Sequence, residues 1–172
     1  LHCLMDVETF SKLRYSKLDL VTFTNGVYDL TKGEFRNASP NDFSTVTTGY
    51  DFVENYSQDR VDFVLDRFAE FFPDYELRKW ILVKMASFFY GKNRNQEFYI
   101  FQGVGSNGKS VLLDFINKMM GQYSTSVSVS LLTSKRNASS QASPDLAKTI
   151  GKRLVTMQEP DYNSSLQPGL LK

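Results

Sequence analysis

One cysteine and one histidine are all that the 172 residues hold of the softer metal ligands. Cys3 has no second cysteine to pair with, and together with His2 it falls short of the four ligands of a structural zinc site, so an internal disulfide and Cys/His zinc chemistry are excluded. No apolar run approaches the roughly eighteen residues of a membrane-crossing helix, and the N-terminus lacks the charged start and apolar stretch of a signal peptide. An intracellular protein with no membrane partner is expected. Net charge is scarce as well: 20 basic and 19 acidic residues leave +1, so there is no broad polybasic field, and any contact with nucleic acid must be local. What is present is ordinary globular material, 41% hydrophobic and 23% charged, enough for one core and a smaller appended unit. Leu1 is not an initiator methionine and the last residues, Leu170-Leu171-Lys172, are an apolar-basic run, so the sequence is expected to be a piece of a longer chain.

Hydrophobic spacing divides the chain. Leu4, Val7, Phe10 and Leu13 recur at helical steps, and Leu18 to Phe23 reads as a β segment ending at the turn dipeptide Asn25-Gly26, which tolerates positive φ. Val27 to Leu30 is the returning strand, and Lys32-Gly33 turns the chain again before Glu34-Phe35-Arg36, so 18–52 is predicted to be a small β meander. From Ser57, a candidate cap, Val61, Val64, Phe68 and Phe71 share a helical face until Pro73; Leu77, Trp80, Ile81, Met85 and Phe88 continue a second helix to Gly91. This helical pair, 57–91, is expected to pack its aromatic stripe face to face. The polar stretch 91–96 suggests a boundary, with one domain over 1–93 and another over 94–172.

Beyond the boundary the pattern becomes α/β. Glu97 to Phe101 suits a buried strand, a glycine-rich loop follows, and Val111 to Met120 repeats Leu112, Phe115, Ile116 and Met119 helically before Gly121. Ser126 to Leu132 reads as a short strand, Thr133 to Ser143 as a serine-rich loop, Ser143-Pro144-Asp145 as a helix start closed by Gly151, and Leu154 to Met157 as a last strand.

The loop Gly103-Val104-Gly105-Ser106-Asn107-Gly108-Lys109-Ser110 fits the phosphate-binding pattern G-x-x-x-x-G-K-[ST]. Its glycines let successive N–H groups face phosphate oxygens, while the helix that runs on through Val111 adds its positive end. Lys109 is expected to reach the β and γ phosphates of ATP, and Ser110 to offer its hydroxyl to Mg²⁺. An apolar strand ending in a carboxylate completes such a site; Arg153 to Gln158 followed by Glu159 supplies it, with Glu159 polarising the attacking water and serving the metal. Gln158 stands where many such enzymes keep an aspartate. Lys135, Arg136, Lys148, Lys152 and Arg153 are candidate contacts to nucleic-acid phosphates, although a solvated face explains any one of them.

Three stretches resemble the superfamily 3 helicases, in particular the poxvirus-type primase-helicases of large DNA viruses and similar phage proteins. They are Leu20 to Leu30 with Gly33 to Arg36, the loop Gly103 to Ser110 with its asparagine before the last glycine, and Ser143 to Ala147 with Gly151 to Val155 and Glu159-Pro160. The resemblance implies an α/β fold in which part of a P-loop AAA+ ATPase, a parallel sheet flanked by helices, is preceded by the meander and helical pair. It implies hexameric rings, ATP-driven movement on single-stranded or forked DNA during replication, and a possible primase domain upstream, in the host cytoplasm or at a viral replication site. In that family a polar sensor, a DNA-contacting hairpin and an arginine finger lie past the acidic strand, so these residues alone are expected to bind ATP weakly and not to unwind DNA. Two other functions fit the loop: a nucleoside or nucleotide kinase, disfavoured by the long segment before the loop and the lack of an arginine-rich lid, and a non-hydrolysing, nucleotide-gated DNA-loading module, to which Gln158 lends support.

Overall fold

The β meander forms at the predicted place. In the computed structural model, which describes residues 13, 16–93, 96–105, 107–133 and 144–158, β1 (Leu20–Phe23), β2 (Gly26–Asp29) and β3 (Glu34–Arg36) make an antiparallel sheet in that order. Its first turn differs from expectation. Phe23 pairs with Gly26, so the turn residues are Thr24 and Asn25, and neither has positive φ. Gly26 is needed for a different reason: a Cβ there would lie 2.6 Å from both the Arg36 carbonyl oxygen and the Phe35 ring. Asn25 uses its amide as an extra rung, donating to the Phe52 carbonyl at 2.9 Å and accepting from the Phe52 N–H at 2.8 Å. Phe52 thereby joins Phe23, Tyr28 and Phe35, stacking on Phe35 with centroids 4.7 Å apart.

Below the sheet, Arg36 makes a two-pronged ion pair with Asp42, at 2.9 and 2.7 Å, and Asp42 also accepts the Ser39 N–H in a capping box over a short 3-10 turn. The guanidinium holds the Asp42 carboxyl below the usual carboxylate range, and the partnership raises Arg36. Asp29 is also lowered, first by the Thr31 hydroxyl, as it closes the turn after β2.

The helical pair is α1 (Gln58–Phe71) and α2 (Tyr75–Ser87). Ser57 occupies the cap position without a side-chain bond, whereas Asp74 caps α2 by accepting the Leu77 N–H at 2.7 Å. Only part of the expected stripe is buried. Phe68, Ile81 and Met85 are buried, but Val64, Phe71, Leu77 and Trp80 stay exposed. Those inward residues share one core with Leu112, Ile116 and Met120 of α3 (Lys109–Met120) and with Val21 and Tyr123. Residues from both sides of position 93 therefore build the same interior.

Where α3 ends, Gly121 has φ +53, and a Cβ on it would lie 2.0 Å from the Thr48 carbonyl oxygen. Gln122 and Thr47 exchange two hydrogen bonds of 3.0 Å, which fasten the tail of the meander to this corner. The strand expected over 126–132 is displaced: β4 is Ser124–Ser126, and Ser130–Thr133 is a helical turn, α4. With serines at 124, 126, 128 and 130, alternation alone does not say which residues meet a neighbour. α5 (Pro144–Thr149) leads through Gly151, φ +74, to β5 (Leu154–Thr156), which pairs parallel to β4. The architecture is thus mixed α/β, with a three-stranded antiparallel sheet, a two-stranded parallel sheet and helices between them. The serine-rich 134–143 lies outside the described residues, as does most of the N-terminal helical pattern.

Candidate phosphate-binding site

The approach to the glycine-rich loop is extended but is not a strand. Glu97 to Phe101 pairs with no strand among the described residues, and Phe98 (60% exposed) and Ile100 (71%) face outward, against the buried strand expected there. A strand needs a neighbour to satisfy its backbone groups, and no described strand pairs with this run. The segment is held by α2: Lys84 donates to the Glu97 carboxylate at 2.7 Å, Tyr99 donates to the same oxygen, and the Tyr99 ring meets Trp80 and Phe88 edge-on or tilted at 5.9 and 6.0 Å. Glu97 raises the Lys84 ammonium, and burial raises the Tyr99 phenol.

At the loop, Lys109 is turned back. Its Nζ donates to the carbonyls of Gly103 (2.9 Å) and Val104 (3.0 Å) and to Asn107 Oδ1 (2.7 Å). Gly103 is close to Asn107, whose amide nitrogen would have to shift from a Cβ there, 2.2 Å away. Gly108 must lack a side chain for two reasons: it caps α3 at φ +80, and a Cβ would lie 2.0 Å from the ring of Phe71. Gly105 borders open space, and Val104 is 88% exposed. Ser110 and Val111 are exposed in the first turn of α3, where N–H groups have no partner within the helix. Ser106 lies outside the described residues.

Helix α3 sits against the parallel pair. Asn117 donates through its amide to Thr156 Oγ1 at 3.3 Å, and Ser124 Oγ donates to the Asn117 carbonyl at 3.2 Å. Asn117 Oδ1 is buried without a partner. Only the turn Gly121–Tyr123 separates α3 from β4, and β5 runs parallel to β4. Thr156, the last residue of β5, lies beside Asn117 in the second half of α3. Gln158, the last described residue beyond β5, is exposed. Glu159 lies outside the described residues. Among those residues no cluster of His, Cys, Asp and Glu could hold a metal, and no helix is long and apolar enough to cross a membrane.

Arg153 departs from both readings of the basic residues, being neither free for phosphates nor solvated. It donates to the Leu20 carbonyl at 2.6 Å and to the Phe89 carbonyl, and its guanidinium lies 4.3 Å from the Tyr123 ring centroid. Burial lowers its pKa. No spacing in the sequence marks this clasp, which joins β1, the end of α2 and the corner after α3. Lys152 donates to the Gln122 carbonyl at 2.7 Å and Lys148 pairs with Asp145 at 3.0 Å, while Lys135 and Arg136 lie outside the described residues.

Residues 7–85 match the protein family described as D5 N terminal like. This stretch, a little under half of the chain, is similar to the D5 N-terminal-like family. The chain's relatives include "Putative helicase L207/L206" of Acanthamoeba polyphaga mimivirus, 34% identical over 154 residues, or 89% of this chain and 16% of that protein. "Putative helicase 184R" of Invertebrate iridescent virus 6 is 30% identical over 89% of the chain and 16% of its own length, and "Putative helicase 022R" of Frog virus 3 is 32% identical over 75% and 14%. The chain spans about a sixth of the length of these relatives. The resemblance to the primase-helicases of large DNA viruses is borne out at family level, and the D5 match ends within α2, upstream of the loop.

Proposed function

We propose that this chain contributes the ATP-binding and ATP-hydrolysing part of a DNA helicase that serves replication in a large DNA virus or a similar genome. Residues 1–93 would form a pre-helicase unit and 94–172 part of a P-loop AAA+ unit, acting as a hexamer on single-stranded or forked DNA. One observation carries the reading: a loop of the phosphate-binding pattern caps α3 with Gly108 at φ +80 and folds an ammonium group onto its own carbonyls. The names of the viral relatives point the same way.

A magnesium-bound triphosphate suits the donors present. Lys109 holds three neutral oxygen acceptors where an anionic phosphate oxygen would compete more strongly, because it meets the ammonium with a full opposite charge and not only a carbonyl dipole. The free first-turn N–H groups of α3 add donors at its positive end. Ser110 would turn its hydroxyl to the metal, and Glu159, next after Gln158 in sequence, is the carboxylate assigned to take the proton of the attacking water and to help hold the metal. Magnesium, when bound, would supply positive charge that offsets the charge gathering on the phosphates.

Titration of the complete protein with fluorescent ATP tests the assignment. Binding abolished by Lys109→Ala, with ATP turnover that rises on adding single-stranded DNA, is the expected result. Undiminished affinity in Lys109→Ala would remove the nucleotide assignment. Binding without turnover would favour a nucleotide-gated loading module, the reading that Gln158, in place of a metal-holding aspartate, supports.

A further inference from the structure

The last residue of α1 touches the phosphate loop. Phe71 is 41% exposed, yet its ring lies so close to Gly108 that an added Cβ would meet Cε1 at 2.0 Å, Cδ1 at 2.8 Å and Cζ at 3.1 Å. Gly108 is the joint at which the loop becomes helix, so its φ of +80 sets the direction of the N–H groups that follow. The ring and the ammonium meet the loop at different places, the ring at Gly108 and Lys109 Nζ at Gly103, Val104 and Asn107. Phe71 is itself held in place. Phe72 packs beside it at 6.5 Å and on Phe68 at 6.4 Å, and Phe68 meets Phe115 of α3 edge-on at 5.9 Å. The turn after Phe71 is fixed from α2, where Arg78 donates to the carbonyls of Phe72 (2.7 Å) and Pro73 (3.3 Å).

We propose that Phe71 is a positioning residue for the phosphate loop, bracing Gly108 in its left-handed conformation and so coupling nucleotide occupancy to the helical pair α1 and α2. The inference rests on the nucleotide reading of the loop. A ring packed on one face of the joint narrows the conformations open to the empty loop, and a preorganised loop binds with less ordering cost. Coupling is reciprocal, so a nucleotide that fixes Gly108 also fixes the end of α1.

The test uses the complete protein with Mg²⁺-ATP in four forms: wild type, Phe71→Ala, Phe71→Leu and Lys109→Ala. Phe71→Ala is expected to raise the ATP dissociation constant and KM about tenfold with kcat changed less than about twofold, and Phe71→Leu to recover all but about threefold of the loss. Because the ring is half in solvent, the nucleotide-free melting temperature should move by no more than about 2 °C. Hydrogen exchange at residues 68–72 should slow when ATP binds the wild type and stay unchanged in Phe71→Ala. If Phe71→Ala unfolds, Phe71→Leu decides: a raised KM in a folded protein supports the brace, and an unchanged KM overturns it. Wild-type or tighter ATP affinity in Phe71→Ala, beside a non-binding Lys109→Ala, overturns the brace and leaves the nucleotide reading standing. Undiminished ATP binding in Lys109→Ala overturns that reading and this inference with it.

Discussion

The runs Leu20-Val21-Thr22-Phe23 and Phe98-Tyr99-Ile100-Phe101 are alike in length and apolar character, yet one is a strand and the other is not. The first reverses through Thr24 and Asn25 into β2, so its partner is two residues away and Val21 is buried at 2% exposure. The second runs into a glycine loop and a helix, finds no ladder partner among the described residues, and leaves Ile100 71% exposed. A strand is stabilised by its neighbours and by the face it buries rather than by its own composition, and a two-residue turn costs little loop entropy.

Mutation can sharpen this contrast. Ile116→Ala, at the 1% exposed centre of the core that β1 shares with α3, should lose about 4 kcal/mol in a urea melt, whereas Ile100→Ala should cost less than about 0.5 kcal/mol. Comparable losses at the two positions would mean that the approach to the loop is buried after all. Arg153→Met comes next. It removes donors from the Leu20 and Phe89 carbonyls and the cation from the Tyr123 face, and should cost about 2–3 kcal/mol in the same melt. A neutral result would mean that β1 is held to the corner after α3 by apolar contact alone. A smaller loss than at Arg153 is expected from the Arg36–Asp42 pair. Asp42 has a depressed pKa in the folded protein, so its contribution is complete above the unfolded carboxylate value, about pH 4, and is lost as pH falls through the lower folded value. Asp42→Asn should therefore cost about 1–2 kcal/mol at pH 7 and weaken the acid-side fall in stability, read as melting temperature from pH 7 to pH 2.

Local signals made much of the fold legible. Asn25-Gly26 and Lys32-Gly33 marked the meander, although Gly26 serves close approach to Arg36 and Phe35 rather than positive φ. The glycine-rich loop was legible because each position in its pattern has a backbone duty, and the structure keeps Gly103, Gly108 and Lys109 in mutual contact through Asn107 or adjacency in chain. The helices were legible as periods, but their buried faces were not. Phe68, Ile81 and Met85 share a core not only with each other but with Leu112, Ile116 and Met120 of α3, since periodicity names a stripe and not everything that lies opposite. Arg153 and Asn117 had no sequence signal at all, for their partners stand at Leu20, Phe89 and Thr156.

By itself the order of residues determined the elements with short-range causes: the hairpins, the helix ends at Pro73 and Gly121, and the glycine-lysine-serine loop at the head of α3. Tertiary structure alone decided which strands found neighbours, that one core crosses position 93, and that Phe71 rests on Gly108. The reason is range. Turns and caps are settled by bonds among residues a few positions apart, whereas ladder pairing, burial and ring contacts join residues tens of positions apart, and no local pattern encodes which of the many distant candidates will meet.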